Sequence, residues 1–176
     1  RNMLFKFILV IMMIPTQISV AGFLQLIGTF GMKDTYWPLI IPAIAAPSVF
    51  FYMKQYIEGS LPMEVIEAAR VDGSNEFKTF NIIALPMLRP ALSVQLIFAF
   101  VASWNNYFTP ALVLDSSSKW TLPNALAAVR SRINSEAGDM GEVYMLIFLS
   151  IIPVVIVYIF VSKNIVEGVA LGAVKG

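Results

Sequence analysis

Residues 143–161 contain no charged side chain. A run of that length can cross the hydrocarbon of a bilayer, which is about 30 Å thick and takes about 20 residues of helix. Three further windows are somewhat longer: residues 7–27, 37–57 and 91–114. In lipid there is no water to receive backbone N–H and C=O groups, so a lone spanning segment must satisfy its own hydrogen bonds as a helix. Strand-like alternation is absent. The composition agrees: 58% of residues are hydrophobic and 13% charged, where a soluble domain is about half apolar and about a quarter charged. The expected fold is all-α, a polytopic membrane protein with four transmembrane helices.

The residue inventory removes several chemistries. The chain has no Cys and no His, so disulfides, thiol nucleophiles and His-based metal sites are excluded. No G-x4-G-K-[ST] run occurs, so the chain carries no phosphate loop of its own. No cofactor, metal or nucleic-acid partner is expected. Residue 1 is Arg and the apolar pattern begins almost at once; with no recognisable signal peptide, the chain is expected to be the C-terminal part of a longer protein.

Lysine and arginine give an orientation. Arg1, Lys6, Lys54, Arg70, Lys78, Arg89, Lys163 and Lys175 fall on one side of the four windows, and Lys33, Lys119, Arg130 and Arg132 on the other. The positive-inside rule places the first group, and with it both termini and the loop at 58–86, in the cytoplasm. Lys54, near the end of its window, can reach the headgroups along its own stem. The opposite side holds a short turn at 28–36 and a longer loop at 115–142, punctuated by Ser116-Ser117-Ser118, Leu122-Pro123 and Gly138. Within it, Leu126, Val129 and Ile133 recur at helical spacing, which predicts a short amphipathic helix over 124–133.

The cytoplasmic loop has its own grammar. Residues 67–86 read EAARVDGSNEFKTFNIIALP, a charged island between oily segments. Ser60 is expected to cap a first helix with Pro62 in its first turn and Glu64 near its positive end. Ala68 and Ala69 offer a small-residue face for close approach. Gly73 stands where a helix ends in a left-handed residue, and Ser74 can cap a second helix that begins at Glu76. Two short helices should meet at the Asp72-Gly73 corner, and Pro86 and Pro90 should bend the chain back into the membrane.

Glu67, Ala68, Ala69, Gly73, Ile83, Leu85 and Pro86 match E-A-A-x3-G-x9-I-x-L-P in full. This resembles the EAA loop of permease subunits in binding-protein-dependent ABC importers. The tail, Gly168-Val169-Ala170-Leu171-Gly172-Ala173-Val174-Lys175-Gly176, is similar to that of the carbohydrate-uptake permeases. So are Ser103-Trp104-Asn105-Asn106-Tyr107-Phe108, Met13-Ile14-Pro15 and Trp120-Thr121-Leu122-Pro123. The resemblance is to the second permease subunit of maltose-type and glycerol-3-phosphate-type importers and covers essentially the whole chain. It implies one permease domain over 1–176, lacking two N-terminal spans of an expected six. It also implies a coupling loop (58–86) that docks on an ATP-binding subunit through Glu67, Ala68, Ala69, Asp72, Gly73, Ile83, Leu85 and Pro86. The implied partners are a second permease subunit, two ATP-binding subunits, an extracytoplasmic solute-binding protein, membrane lipid and a carbohydrate-like substrate. Asn106 departs from the pattern, because many relatives carry an acidic residue there; this leaves the substrate open.

Trp104, Asn105, Asn106 and Tyr107 are the candidate substrate pathway. Polar residues at such depth face other helices or an aqueous cavity, and both readings stand, as they do for Gln17, Gln25 and Gln95. Pro15, Pro42, Pro47, Pro110 and Pro153 should interrupt the spans. Two rivals remain at this stage: an importer for amino acids, phosphonates or peptides, and a membrane scaffold or intramembrane enzyme. The second lacks the paired acids or Ser/Lys dyad that catalysis would need.

Overall fold

Proline sets where the apolar windows break. The computed structural model describes residues 2–133 and 139–173. Arg1 and Lys175 of the charge count, Gly138 and the last three residues of the tail lie outside them. Among the described residues every regular element is helical: α1 (Asn2–Met12), α2 (Val20–Thr29), α3 (Trp37–Ile40), α4 (Pro47–Ser60), α5 (Met63–Val71), α6 (Glu76–Thr79), α7 (Leu85–Met87), α8 (Arg89–Trp104), α9 (Phe108–Val113), α10 (Leu122–Ile133) and α11 (Met140–Ala173).

Two stretches, Trp37–Ser60 and Met140–Ser162, are each long and apolar enough to cross a membrane. Two bent pairs qualify as broken spans, which gives four when each pair counts once. The first window is therefore not one helix. Pro15 is extended at φ −61°, ψ 129°, because its ring and missing N–H cannot continue a helix. The segments Met3–Met12 and Gln17–Thr29 meet at 85°. The third window is displaced as well. Its helix α8 begins at Arg89, stops at Trp104 and resumes only as the short α9. The pair that passes as one broken span is Glu76–Met87 with Arg89–Trp104, at 71°. By contrast α11 runs straight through Pro153 as one helix. The outer helix predicted over 124–133 is present and begins two residues earlier. Lys54, predicted to snorkel, is ion-paired to Glu58 one turn along α4.

The chain forms two compact units. The first comprises Arg1–Pro47 and Phe100–Ile156. Its core is Ile27, Val113 and Leu114, with Phe23, Leu24, Met32 and Leu39 packed against it. Next to this core, Asp34 ties the loops at 28–36 and 115–119 together. Its Oδ1 accepts the Asp115 and Ser116 N–H groups (3.0 Å each), and its Oδ2 accepts the Ser116 hydroxyl (2.6 Å) and the Lys119 ammonium (2.9 Å). Its own N–H donates to Val113 O at 2.9 Å. Asp34 holds a left-handed backbone, φ 56°, a conformation that short polar side chains tolerate best. Lys119 and Ser116 keep its carboxyl well below the usual carboxylate range.

The second unit comprises Ser48–Ala99 and Val157–Gly176. Ile66 and Ala69 of α5 are buried, as are Thr79, Ala84, Leu88 and Ala91. The three-residue step from Ile66 to Ala69 places both on one face of α5.

Candidate functional site

The loop between α4 and α8 is built around a helix stop. Helix α5 ends in a paired closure: Ser74 N–H donates to Ala69 O and Gly73 N–H to Arg70 O, both at 3.0 Å. That 6→1 and 5→2 pattern needs a left-handed residue between the two, and Gly73 supplies it at φ 77°. The chain then reverses into α6. Asn75 caps this helix, its side chain accepting the Lys78 N–H at 2.8 Å. The expectation that Ser74 caps α6 is corrected. The Ser74 N–H is spent closing α5, and its hydroxyl accepts from Thr79 Oγ1 at 3.0 Å. The start of α5 also differs from the sequence reading. Ser60 is the last residue of α4, and Pro62 occupies the cap position of α5 rather than its first turn.

Across the corner, Arg70 forks onto Glu76. Its Nε lies 2.7 Å from Oε1 and its Nη2 3.1 Å from Oε2. The two-point geometry fixes direction as well as distance, so α5 and α6 are held at a set angle. Sequence reasoning did not find this pair. The available signal was opposite charge on either side of an Asp-Gly turn.

The motif alanines do not share a face. Adjacent helical residues are about 100° apart, and here Ala69 is buried while Ala68 and Glu67 are exposed. Asp72 and Gly73 are exposed at the corner. Around them Val71 and Phe77 are 88% and 80% exposed, an apolar tip on a charged loop. Ile83, Leu85 and Pro86 lie further along and are half-buried. Phe80–Ala84 forms a π-turn, with Leu85 N–H donating to Phe80 O. Pro86 has no N–H for the carbonyl four residues back, and its ring crowds that carbonyl. The wider turn gives it room.

The four pathway candidates are not brought together. Trp104 donates its indole N–H to Ser150 O at 3.0 Å and stacks on Phe100; it lines a cleft of about 360 Å³ with Tyr36, Lys119 and Trp120. Tyr107 lines a different cleft of about 530 Å³, with Arg130 and Tyr144. Asn106 faces a third, of about 340 Å³, with Ser19, Phe23 and Thr109. Asn105 lines none of the three. Asn106, one residue before the cap position of α9, also accepts the Thr109 N–H on its Oδ1 at 3.3 Å.

Asn124, buried at the start of α10, is a second residue that the sequence did not disclose. With its amide oriented to satisfy its neighbours, Oδ1 accepts the Ala111 N–H at 2.9 Å. Nδ2 then donates to Tyr107 O at 3.1 Å and Thr121 Oγ1 at 3.3 Å. One side chain thus ties the outer helix α10 to the break between α8 and α9.

Residues 1–169 match the family described as binding-protein-dependent transport system inner membrane component. The chain belongs to this family. Among curated relatives, this chain is 36% identical to the arabinooligosaccharides transport system permease protein AraQ of Halalkalibacterium halodurans, over all of this chain and 62% of the relative. It is 31% identical to protein LplC of Bacillus subtilis, over all of this chain and 62% of the relative. It is also 31% identical to the sn-glycerol-3-phosphate transport system permease protein UgpE of Yersinia enterocolitica, over 96% of this chain and 59% of the relative. The chain thus spans about three-fifths of the length of the curated relatives it matches. Helices and family together make it a multi-pass membrane protein.

Proposed function

We propose that this chain is part of the permease subunit of an ABC importer for a carbohydrate or related polyol, and that its α5–Gly73–α6 corner is the lever on which a separate ATP-binding subunit pulls. The observation that carries the lever is the corner itself. A charged loop with no partner has no need for a two-bond helix closure, a capped second helix and an Arg–carboxylate fork, all within residues 69–78. The same corner leaves Val71 and Phe77 exposed, which suits contact with a partner.

The partners are a second permease subunit, two ATP-binding subunits and an extracytoplasmic solute-binding protein. The lysine and arginine distribution places the corner in the cytoplasm, within reach of the ATP-binding subunit, and ATP hydrolysis belongs to that partner. The membrane is the bacterial or archaeal inner membrane, with the C-terminus cytoplasmic. Motion of the corner enters α8 through the 71° bend beside Leu88 and travels along the chain to the Asn105–Asn106 break. The cargoes printed in the relatives' names, arabinooligosaccharides and sn-glycerol 3-phosphate, support a sugar or polyol over amino acids, phosphonates or peptides.

The test is reconstitution of the full-length protein with its partner subunits in liposomes. ATP-dependent sugar uptake is expected. Gly73→Pro and Glu67→Lys should abolish it while both variants still reach the membrane. Normal uptake and normal co-purification of the ATP-binding subunit with both variants would overturn the docking role.

A further inference from the structure

Three interruptions of helix meet at one cavity of the first unit, the cleft of about 340 Å³. Ser19 ends the 3-10 turn that follows Pro15. Pro38 and Pro42 bracket the place where α3 gives way to the 3-10 turn Pro42–Ala45. Asn106 and Thr109 flank the start of α9. All five residues line the same space. Backbone that leaves the helix within a membrane must be buried in protein or border a water-filled cavity. One of these breaks also releases an acceptor. Pro42 has no N–H to return to the carbonyl four residues earlier, which belongs to the cavity-lining Pro38.

The lining is mostly apolar, with three polar side chains and no charged one among the described residues. Thr109 and Ser19 bring hydroxyls and Asn106 an amide, whose Nδ2 has no hydrogen bond to the described residues. Phe23 and Phe108 bring ring faces, and no Asp, Glu, Lys or Arg takes part. The cationic side chains of this unit that border a cavity, Lys119 and Arg130, border the other two clefts.

We propose that this cavity is a solute subsite selective for an uncharged polyhydroxylated compound, and that it rejects uronates and phosphorylated polyols. The inference rests on the permease reading and goes beyond it, because the relatives' names span both uncharged and anionic cargoes. Sugar hydroxyls both donate and accept, and so match a mixture of amide, hydroxyl and released carbonyl groups. The C–H face of a sugar ring can lie on an aromatic ring. An anion would shed its hydration here with no cation to replace it. The volume lies at the lower end of the range of ligand sites, roughly 300–1,000 Å³, which suits one small sugar unit at a time.

The experiment uses the full-length transporter with its partner subunits and binding protein, in ATP-loaded liposomes. The probes are a panel of labelled neutral oligosaccharides, oligogalacturonides and sn-glycerol 3-phosphate. A neutral member is expected to be taken up. Asn106→Ala removes the amide from the cavity. It should raise KM for that solute by roughly two- to tenfold, the range of one lost hydrogen bond. Thr109→Val should raise KM by roughly two- to tenfold, the range of one lost hydrogen bond, and Thr109→Ser should recover most of that loss. Co-purification of the ATP-binding subunit reports whether each variant has assembled. An anionic solute transported as well as or better than every neutral one would overturn the proposal. So would unaltered uptake of the neutral solute by both Asn106→Ala and Thr109→Val. Failure of the wild-type protein to take up any probe with ATP would instead bring down the permease reading, and this inference with it.

Discussion

Arg70 grips Glu76 across the Gly73 corner through two hydrogen bonds, Nε to Oε1 at 2.7 Å and Nη2 to Oε2 at 3.1 Å. Both side chains are exposed, so the pair adds little to global stability; its value is the fixed angle between α5 and α6. Arg70→Glu or Glu76→Arg alone should therefore cut ATP-driven uptake several-fold while thermal unfolding in detergent stays nearly unchanged. The double exchange should recover much of the uptake. Uptake by the double variant no better than by the worse single one would show that the pair does not set the lever.

Gly73 is needed for its backbone and not for space. An added Cβ would meet nothing within 4 Å, but at φ 77° any L side chain pays about 1–2 kcal/mol. Gly73→Ala should loosen the corner by about that amount, and Gly73→Asn by less, since Asn tolerates this region. Amide hydrogen exchange at Ser74, whose N–H closes α5, reads the difference directly.

The sequence disclosed the corner but not the device that holds it, for reasons that lie in particular residues. Gly73 was legible because only a left-handed residue can end α5 this way. Ser74 and Asn75 carry similar capping chemistry; Asn75 holds the cap because its backbone is extended and its side chain reaches the Lys78 N–H, while the Ser74 hydroxyl accepts from Thr79. Ala68 and Ala69 read as a pair in one dimension and separate once wound on a helix. Among the prolines, the residue type announced an interruption but not its size. Pro15 sits at an 85° bend, whereas Pro153 lies within one continuous helix, because the outcome depends on what packs around each. The Asp34 tie joins residues more than eighty positions apart, and no local pattern marks it.

Asp34 should hold the outer loops together across the ordinary acid range. Its carboxyl titrates below the usual aspartate value of 3.8 because Lys119 and Ser116 stabilise the charged form. A depressed folded value means that the stabilisation is complete above the unfolded value and is lost only as pH falls below it. Limited proteolysis within residues 28–36 should thus be unchanged from neutral pH down to about 4, with acid pepsin as the probe at the low end. Asp34→Ala and Lys119→Ala should each expose the turn at neutral pH, and the double variant should add little to either. Fully additive effects would mean that the two residues act independently.

Asn124 is buried with three satisfied partners. Asn124→Leu removes the bonds to the Tyr107 carbonyl and the Ala111 N–H, which keep only their bond to each other at 3.0 Å, at a cost of about 0.5–1.5 kcal/mol per bond. A lower melting temperature in detergent is expected. Uptake should fall more than stability, because α10 loses its tie to the break that precedes α9. A variant with unchanged melting would count against the buried network.

The most direct test of the lever uses the fact that the chain has no cysteine. Val71→Cys places a single thiol on the exposed tip, to be paired with a cysteine in the partner groove of the ATP-binding subunit in the assembled transporter. The account predicts an oxidative cross-link between the two subunits whose yield changes when ATP is added. Modification of Val71→Cys by a membrane-impermeant maleimide from the extracytoplasmic side of intact cells, with no cross-link to the ATP-binding subunit, would contradict it.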